Sequence, residues 1–120
     1  MKTQHTECNR RFIGSSHERR AVSYLKRKYY IIRDVNYRCR FGEIDIIATN
    51  GLELVFVEVK YRSNGQINAA LEAVNRKKQS ILYKCAQYYV LQHRLQTLPC
   101  RFDVIGMTED EIVHIEDAFM

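Results

Sequence analysis

Leu54-Val55-Phe56-Val57-Glu58-Val59-Lys60 is the stretch on which the fold turns. Four apolar residues in a row read as a buried strand. Such a strand should not end in two opposite charges unless something there needs them. Side chains alternate along a strand, so Glu58 and Lys60 share a face with Leu54 and Phe56 behind them. Upstream, Gly42-Glu43-Ile44-Asp45-Ile46-Ile47-Ala48 sets another carboxylate inside a second apolar strand.

The neighbouring segments place these charges. Ser15-Ser16-His17-Glu18 reads as a helix start, with Ser15 as N-cap and Glu18 as its capping-box partner. The helix is expected to run to about Lys28, with Ala21, Val22 and Leu25 inward and Tyr29 a further turn on. Glu18 lies on that stripe and is aimed at the sheet. Tyr30 to Tyr37, Gly42 to Ala48 and Leu54 to Tyr61 are β-branched and aromatic and predict strands. Asn50-Gly51 predicts a tight antiparallel hairpin. Centred there, the turn pairs Asp45 with a residue near Phe56. Asp45 and Glu58 then meet only through a bulge, a twist or diagonal neighbours.

After a loop at Ser63-Asn64-Gly65, the spacing predicts one long helix from about Asn68 to His93. Its seam is Leu71, Val74, Ile81, Cys85 and Tyr88, with Lys78 between Val74 and Ile81. A lysine in that stripe either snorkels outward or reaches a shared acidic site. Two more strands follow, Arg101 to Gly106 and Glu111 to Ile115, joined by the turn Met107-Thr108-Glu109-Asp110. The order α-β-β-β-α-β-β predicts an α/β layer with a mixed sheet and helices packed on it.

At 120 residues the chain is expected to be one domain, 1–120, with a flexible N-terminal segment over residues 1–12. Its 46% hydrophobic and 28% charged content is that of a globular protein. A net charge of +5 and basic runs such as Arg76-Lys77-Lys78 are compatible with a polyanionic partner. No stretch reaches membrane-spanning length, and no secretory signal is evident at the N-terminus. Four widely spaced cysteines, Cys8, Cys39, Cys85 and Cys100, are therefore read as free thiols in the cytoplasm.

Two carboxylates within ~4 Å repel by about 4 kcal/mol at an effective dielectric of 20. Held together, Asp45 and Glu58 require either a proton or a cation between them. Oxygen ligands without His or Cys select Mg²⁺ or Mn²⁺. Such an ion polarises a phosphoryl oxygen and activates a bound water, with Lys60 on the water or the phosphate and Glu18 on a metal-bound water or second ion. That chemistry suits phosphodiester hydrolysis. The plain alternatives are a surface Glu58–Lys60 pair worth at most ~1 kcal/mol, a capping Glu18 and a snorkelling Lys78. Asp103 is read as a partner of Arg101, and Glu72 as solvated.

With those segments in view, together with Gly14-x-x-x-Glu18-x-x-Ala21-x-x-Tyr24-Leu25, Glu72-Ala73-Val74, Lys78-Gln79 and Arg101-Phe102-Asp103-Val104, the chain resembles the YraN-like proteins. These are small bacterial proteins classed as predicted endonucleases of the PD-(D/E)xK nuclease superfamily, similar to archaeal-type Holliday junction resolvases. The resemblance implies a restriction-endonuclease-like core with Asp45, Glu58 and the Val59 carbonyl as Mg²⁺ or Mn²⁺ ligands. It implies Lys60 as catalytic lysine, Glu18 as the first-helix glutamate of the resolvase-like branch, and Lys78 and Gln79 turned to the phosphate backbone. Arg62, Arg76 and Lys77 are candidate nucleic-acid contacts beside them. DNA, including branched DNA, is the expected partner, and resolvase-like relatives act as homodimers. A non-catalytic nucleic-acid-binding module of the same fold is the alternative. Two departures stand out: Ile44-Asp45 replaces the superfamily's Pro-Asp, and residues 63–68 lack a Phe-Gly before the second helix.

Overall fold

The computed structural model of the chain describes residues 16–63, 67–68 and 74–119. The elements run α1 (Ser16–Arg27), β1 (Ile31–Cys39), β2 (Gly42–Thr49), β3 (Leu54–Tyr61), α2 (Arg76–Gln92), β4 (Cys100–Met107) and β5 (Ile112–Ile115). This is the expected α-β-β-β-α-β-β order. The five strands form one sheet in the order β1-β2-β3-β4-β5. Only the β3–β4 pairing is parallel, because α2 and its flanking segments carry the chain back between those two strands.

β3 is the middle strand, and both of its faces are covered. Val55 and Val57 pack with Ala21, Val22 and Leu25 of α1. Leu54 and Phe56 pack with Leu82, Cys85, Ala86 and Tyr89 of α2. Burial on both sides accounts for the unbroken apolar run at 54–57. Gly42, at the start of β2, passes so close beneath α2 that a Cβ there would lie 2.6 Å from Ile81 Cγ2.

Four sequence expectations need correction. The β2–β3 connection is a four-residue loop, not a two-residue turn, because Thr49 pairs with Leu54. Asn50 Oδ1 accepts the Leu52 and Glu53 N–H groups and closes the loop. The loop moves the register by two residues, to Ile46↔Val57. Regular β2–β3 pairing ends at Ile46↔Val57, and beyond it Asp45 meets β3 through its side chain, which accepts the Val59 N–H.

Second, the long helix is interrupted. Residues 67–68 are helical, but Val74 and Asn75 are not. Asn75 is the N-cap of α2, its side chain accepting the Lys78 N–H at 2.9 Å. Third, the inward residue near the end of α2 is Tyr89, and Tyr88 is exposed. Fourth, Tyr29 does not extend the α1 stripe: it has a φ of 69° at the helix end and is 90% exposed, while Tyr30 is buried. The Tyr30 N–H returns to the Leu25 carbonyl at 3.0 Å, the six-to-one bond of a Schellman end. The expected N-terminal segment 1–12, the Ser15 cap, Leu71 and Glu72 lie outside the described residues. No helix among the described residues is long and apolar enough to cross a membrane.

Candidate functional site

Where β2 and β3 leave regular pairing, polar side chains collect. Val35 and Ile46 belong to the α1-side core, whereas Tyr37 and Ile44 belong to the α2-side core. The strands therefore exchange faces between these pairs. The residues between them are Asn36, with a φ of 54°, and Asp45. This irregularity frees the Asp45 carboxylate from the core faces. Its Oδ2 accepts the Val59 N–H at 2.8 Å.

Glu58 is nearly fully buried, at 4% exposure. Its Oε2 faces two ammonium groups, Lys60 Nζ at 3.4 Å and Lys78 Nζ at 3.6 Å. Its Oε1 is buried with no hydrogen-bond partner among the described residues. A carboxylate oxygen left bare in a protein interior is costly, and a cation or a proton relieves it. Burial first, and the Glu58 charge second, push the Asp45 carboxyl up to about 7, against an opposing pull from the Val59 N–H. Asp45 and Lys78 open onto a cleft of about 530 Å³ rimmed by the Arg38–Glu43 ion pair.

Asp45, Glu58, Val59, Lys60 and Lys78 thus lie together, with both lysines on Glu58 and Asp45 on the Val59 N–H. Of the two readings open for Lys78, the acidic one holds: from the first turn of α2, capped by Asn75, its ammonium reaches Glu58. Glu18 stands slightly apart. Its Oε1 accepts the Asn36 Nδ2–H at 3.0 Å, and its charge adds to the pressure on Asp45. Among the described residues no three His, Cys, Asp or Glu side chains form a metal-holding group. The candidate donors are two carboxylates and the Val59 carbonyl. That set fits Mg²⁺, which keeps several waters and needs only one or two carboxylates.

Gln79 is not at the cluster: its Nε2 donates to the Val74 carbonyl at 3.2 Å and ties down the start of α2. Arg62 is exposed and donates to the Tyr61 carbonyl, and Arg76 and Lys77 lie exposed on the first turn of α2.

Sequence reasoning undervalued a second buried polar cluster. Asp103 is 0% exposed and accepts two bonds from Arg101, both at 2.9 Å. It also accepts the Asp117 N–H, and His114 Nε2 lies 2.6 Å from its Oδ2. Burial raises its carboxyl, but the bonds from His114, Arg101 and Asp117 outweigh that and hold it below the ordinary value. Arg101 also reaches Glu53 and Tyr30. Arg-x-Asp on one strand was the available signal; His114 and Asp117 come from the far side of a turn. His17, stacked on Tyr61 at 3.7 Å, was missed as well, since nothing local links those two residues.

A mixed five-stranded sheet with a helix on each face, and two acidic residues on its neighbouring strands β2 and β3 with Lys60 and Lys78 beside Glu58, defines a small α/β protein with a polar cleft at Asp45 and Lys78. The chain belongs to the family described as "Uncharacterised protein family UPF0102", whose profile matches residues 17–107. This bears out the YraN-like resemblance at the level of the family. It is 46% identical to a UPF0102 protein of Lachnoclostridium phytofermentans, over 92% of this chain and 95% of the relative. It is 48% identical to one of Alkaliphilus oremlandii, over 89% and 97% respectively. With one of Clostridioides difficile it shares 44% identity, over 88% and 95%.

Proposed function

We propose that this chain is a divalent-metal-dependent endonuclease of the PD-(D/E)xK type, hydrolysing phosphodiester bonds of DNA, branched DNA included. The observation that carries the reading is the bare, buried Oε1 of Glu58 near Asp45, a second carboxyl whose ionisation is suppressed by burial first and by the Glu58 charge second. Two carboxyl groups so placed have a stability cost that a bound cation removes.

Asp45, Glu58 and the Val59 carbonyl would hold Mg²⁺ or Mn²⁺, which supplies Lewis-acid activation of water and phosphate. Lys60, 3.4 Å from Glu58, positions the attacking water and offsets charge growing on the phosphate. Lys78 fixes Glu58 from the opposite helix, and Glu18 holds a water at the edge of the site. Arg76, Lys77 and Lys78 crowd the first turn of α2, which carries no acidic residue. Cations there oppose the helix dipole by a few tenths of a kcal/mol each, a cost a polyanion reverses. With Arg62 they supply the phosphate contacts. The protein works in the cytoplasm, and a homodimer would deliver paired cuts on a two-fold junction.

One observation favours a second reading. Lys60 and Lys78 already neutralise Glu58 without a metal, as suits a non-catalytic nucleic-acid-binding module. Incubation with linear, flapped and four-way DNA in Mg²⁺ or Mn²⁺ separates the two. Cleavage abolished by Asp45→Ala and by Lys60→Ala is expected. Salt-sensitive binding without any cutting would support the module instead.

A further inference from the structure

Cys39, the last residue of β1, and Cys85, in the middle of α2, place their sulfurs 3.5 Å apart. They are free thiols brought together from separate elements. We infer that Cys39 and Cys85 form a reversible dithiol–disulfide site, oxidised by a peroxide or a small-molecule disulfide, that staples α2 to the β1–β2 hairpin beside the acidic cleft.

The geometry is close to closure. A disulfide needs the sulfurs at about 2.05 Å, so roughly 1.5 Å of approach is required. The strand neighbour of Cys39 also lies close to the second sulfur: Cys39 pairs with Gly42, and a Cβ on Gly42 would be in ordinary contact with Cys85 Sγ, at 3.6 Å. The two thiols also differ in access. Cys39 lines the open cleft with Asp45 and Lys78; Cys85 is fully buried. Burial, and after it the bond from Cys39, push the Cys85 thiol up to about 12, with the Lys78 ammonium pulling the other way. Cys39 is accordingly the attacking sulfur and Cys85 the resolving one.

With hydrogen peroxide, the Cys39 thiolate attacks one oxygen, the O–O bond breaks, hydroxide leaves and Cys39 becomes a sulfenic acid. The Cys85 sulfur then attacks Cys39 Sγ, the S–O bond breaks, and water leaves with the Cys85 proton neutralising the hydroxide. Two thiols lose two electrons in all, and the peroxide is reduced to two waters. With a small disulfide, two successive exchanges release two small thiols.

The consequence reaches the cleft because Lys78 lies two helical turns before Cys85, on the same side of α2. Closure shifts α2 and with it the Lys78–Glu58 contact. That coupling rests on the metal-site reading; the cross-link does not.

The test uses the full chain carrying Cys8→Ser and Cys100→Ser. Titration with hydrogen peroxide, and separately with glutathione disulfide, is followed by intact mass, peptide mapping and thermal melting. The expected result is loss of two hydrogens, linked peptides containing Cys39 and Cys85, and reversal by a thiol reductant. The melting temperature should rise by roughly 8–16 °C for a loop of this length. Adding Cys39→Ser or Cys85→Ser abolishes the two-hydrogen loss, the linked peptides and the rise in melting temperature; if one variant fails to fold, the other and the peptide map still decide. A persistent glutathione adduct on Cys39 with Cys85 still alkylatable, or no two-hydrogen loss, overturns the inference. Mn²⁺ titration of reduced and oxidised chains reads the coupling, with a severalfold change in affinity expected. Equal affinities overturn the coupling. A cross-link in a chain that takes up no Mn²⁺ in either state upholds the dithiol site and defeats the metal reading.

Discussion

Asp45→Asn is the substitution that most directly interrogates the cleft. It removes one ionisable carboxyl but keeps an amide oxygen able to accept the Val59 N–H. In the folded chain, burial and then Glu58 lift the Asp45 carboxyl from 3.8 to about 7. A carboxyl raised by folding contributes stability that is complete below the unfolded value of 3.8 and is lost as pH climbs through about 7. At about 1.4 kcal/mol per pH unit, the raised carboxyl costs at most roughly 4 kcal/mol at pH 8, where it is ionised, and ~1.6 kcal/mol at pH 5, where folding must protonate it. The asparagine variant escapes both costs. Its advantage over the native chain should therefore grow by about 2–3 kcal/mol between pH 5 and pH 8, or roughly 10 °C in melting temperature at this chain length. Thermal melts of both chains in metal-free buffer at the two pH values measure it. An advantage that does not change with pH, or an asparagine variant less stable at pH 8, would refute the reasoning. Adding millimolar Mn²⁺ at pH 8 should raise the melting temperature of the native chain alone.

Two further substitutions probe the remaining charges. Glu58→Gln leaves Lys60 and Lys78 facing each other across the place of a lost anion, and should cost about 1–3 kcal/mol in urea unfolding. Adding Lys78→Met should recover most of that loss; strictly additive effects would show that the pair is not coupled. Asp103→Ala strands the Arg101 guanidinium and the His114 ring and should cost about 3–5 kcal/mol. Because folding depresses the Asp103 carboxyl, its contribution is present above about 4 and fades as pH falls further. The native chain should thus lose stability in acid more steeply than Asp103→Asn; parallel acid titrations would contradict this.

Much of the architecture was legible along the chain. Period-two and period-three-to-four apolar spacing reports which backbone hydrogen bonds a segment can form while burying one face, and that depends on near neighbours alone. The strands at 42–49 and 54–61, the helix bearing Ala21, Val22 and Leu25, and the element order could be read that way. So could the shared side of Glu58 and Lys60, because alternation is a property of the single strand. A break in an apolar stripe singled out Lys78 but left open whether it snorkels outward or reaches an acidic site.

What the sequence determined by itself was the set of elements and the residue types able to hold a cation. Register and crossing were decided only in three dimensions. Whether Asn50-Gly51 closes a two- or a four-residue loop depends on which pairing seats Ile46 beside Val57, and that choice brought the Asp45 carboxylate to the Val59 N–H. The change of faces at Asn36 and Asp45, the approach of Cys39 to Cys85 and the burial of Asp103 under His114 join residues far apart in the chain. Such contacts form because helices on both sides of the sheet must bury their stripes at once, a condition that no local stretch encodes.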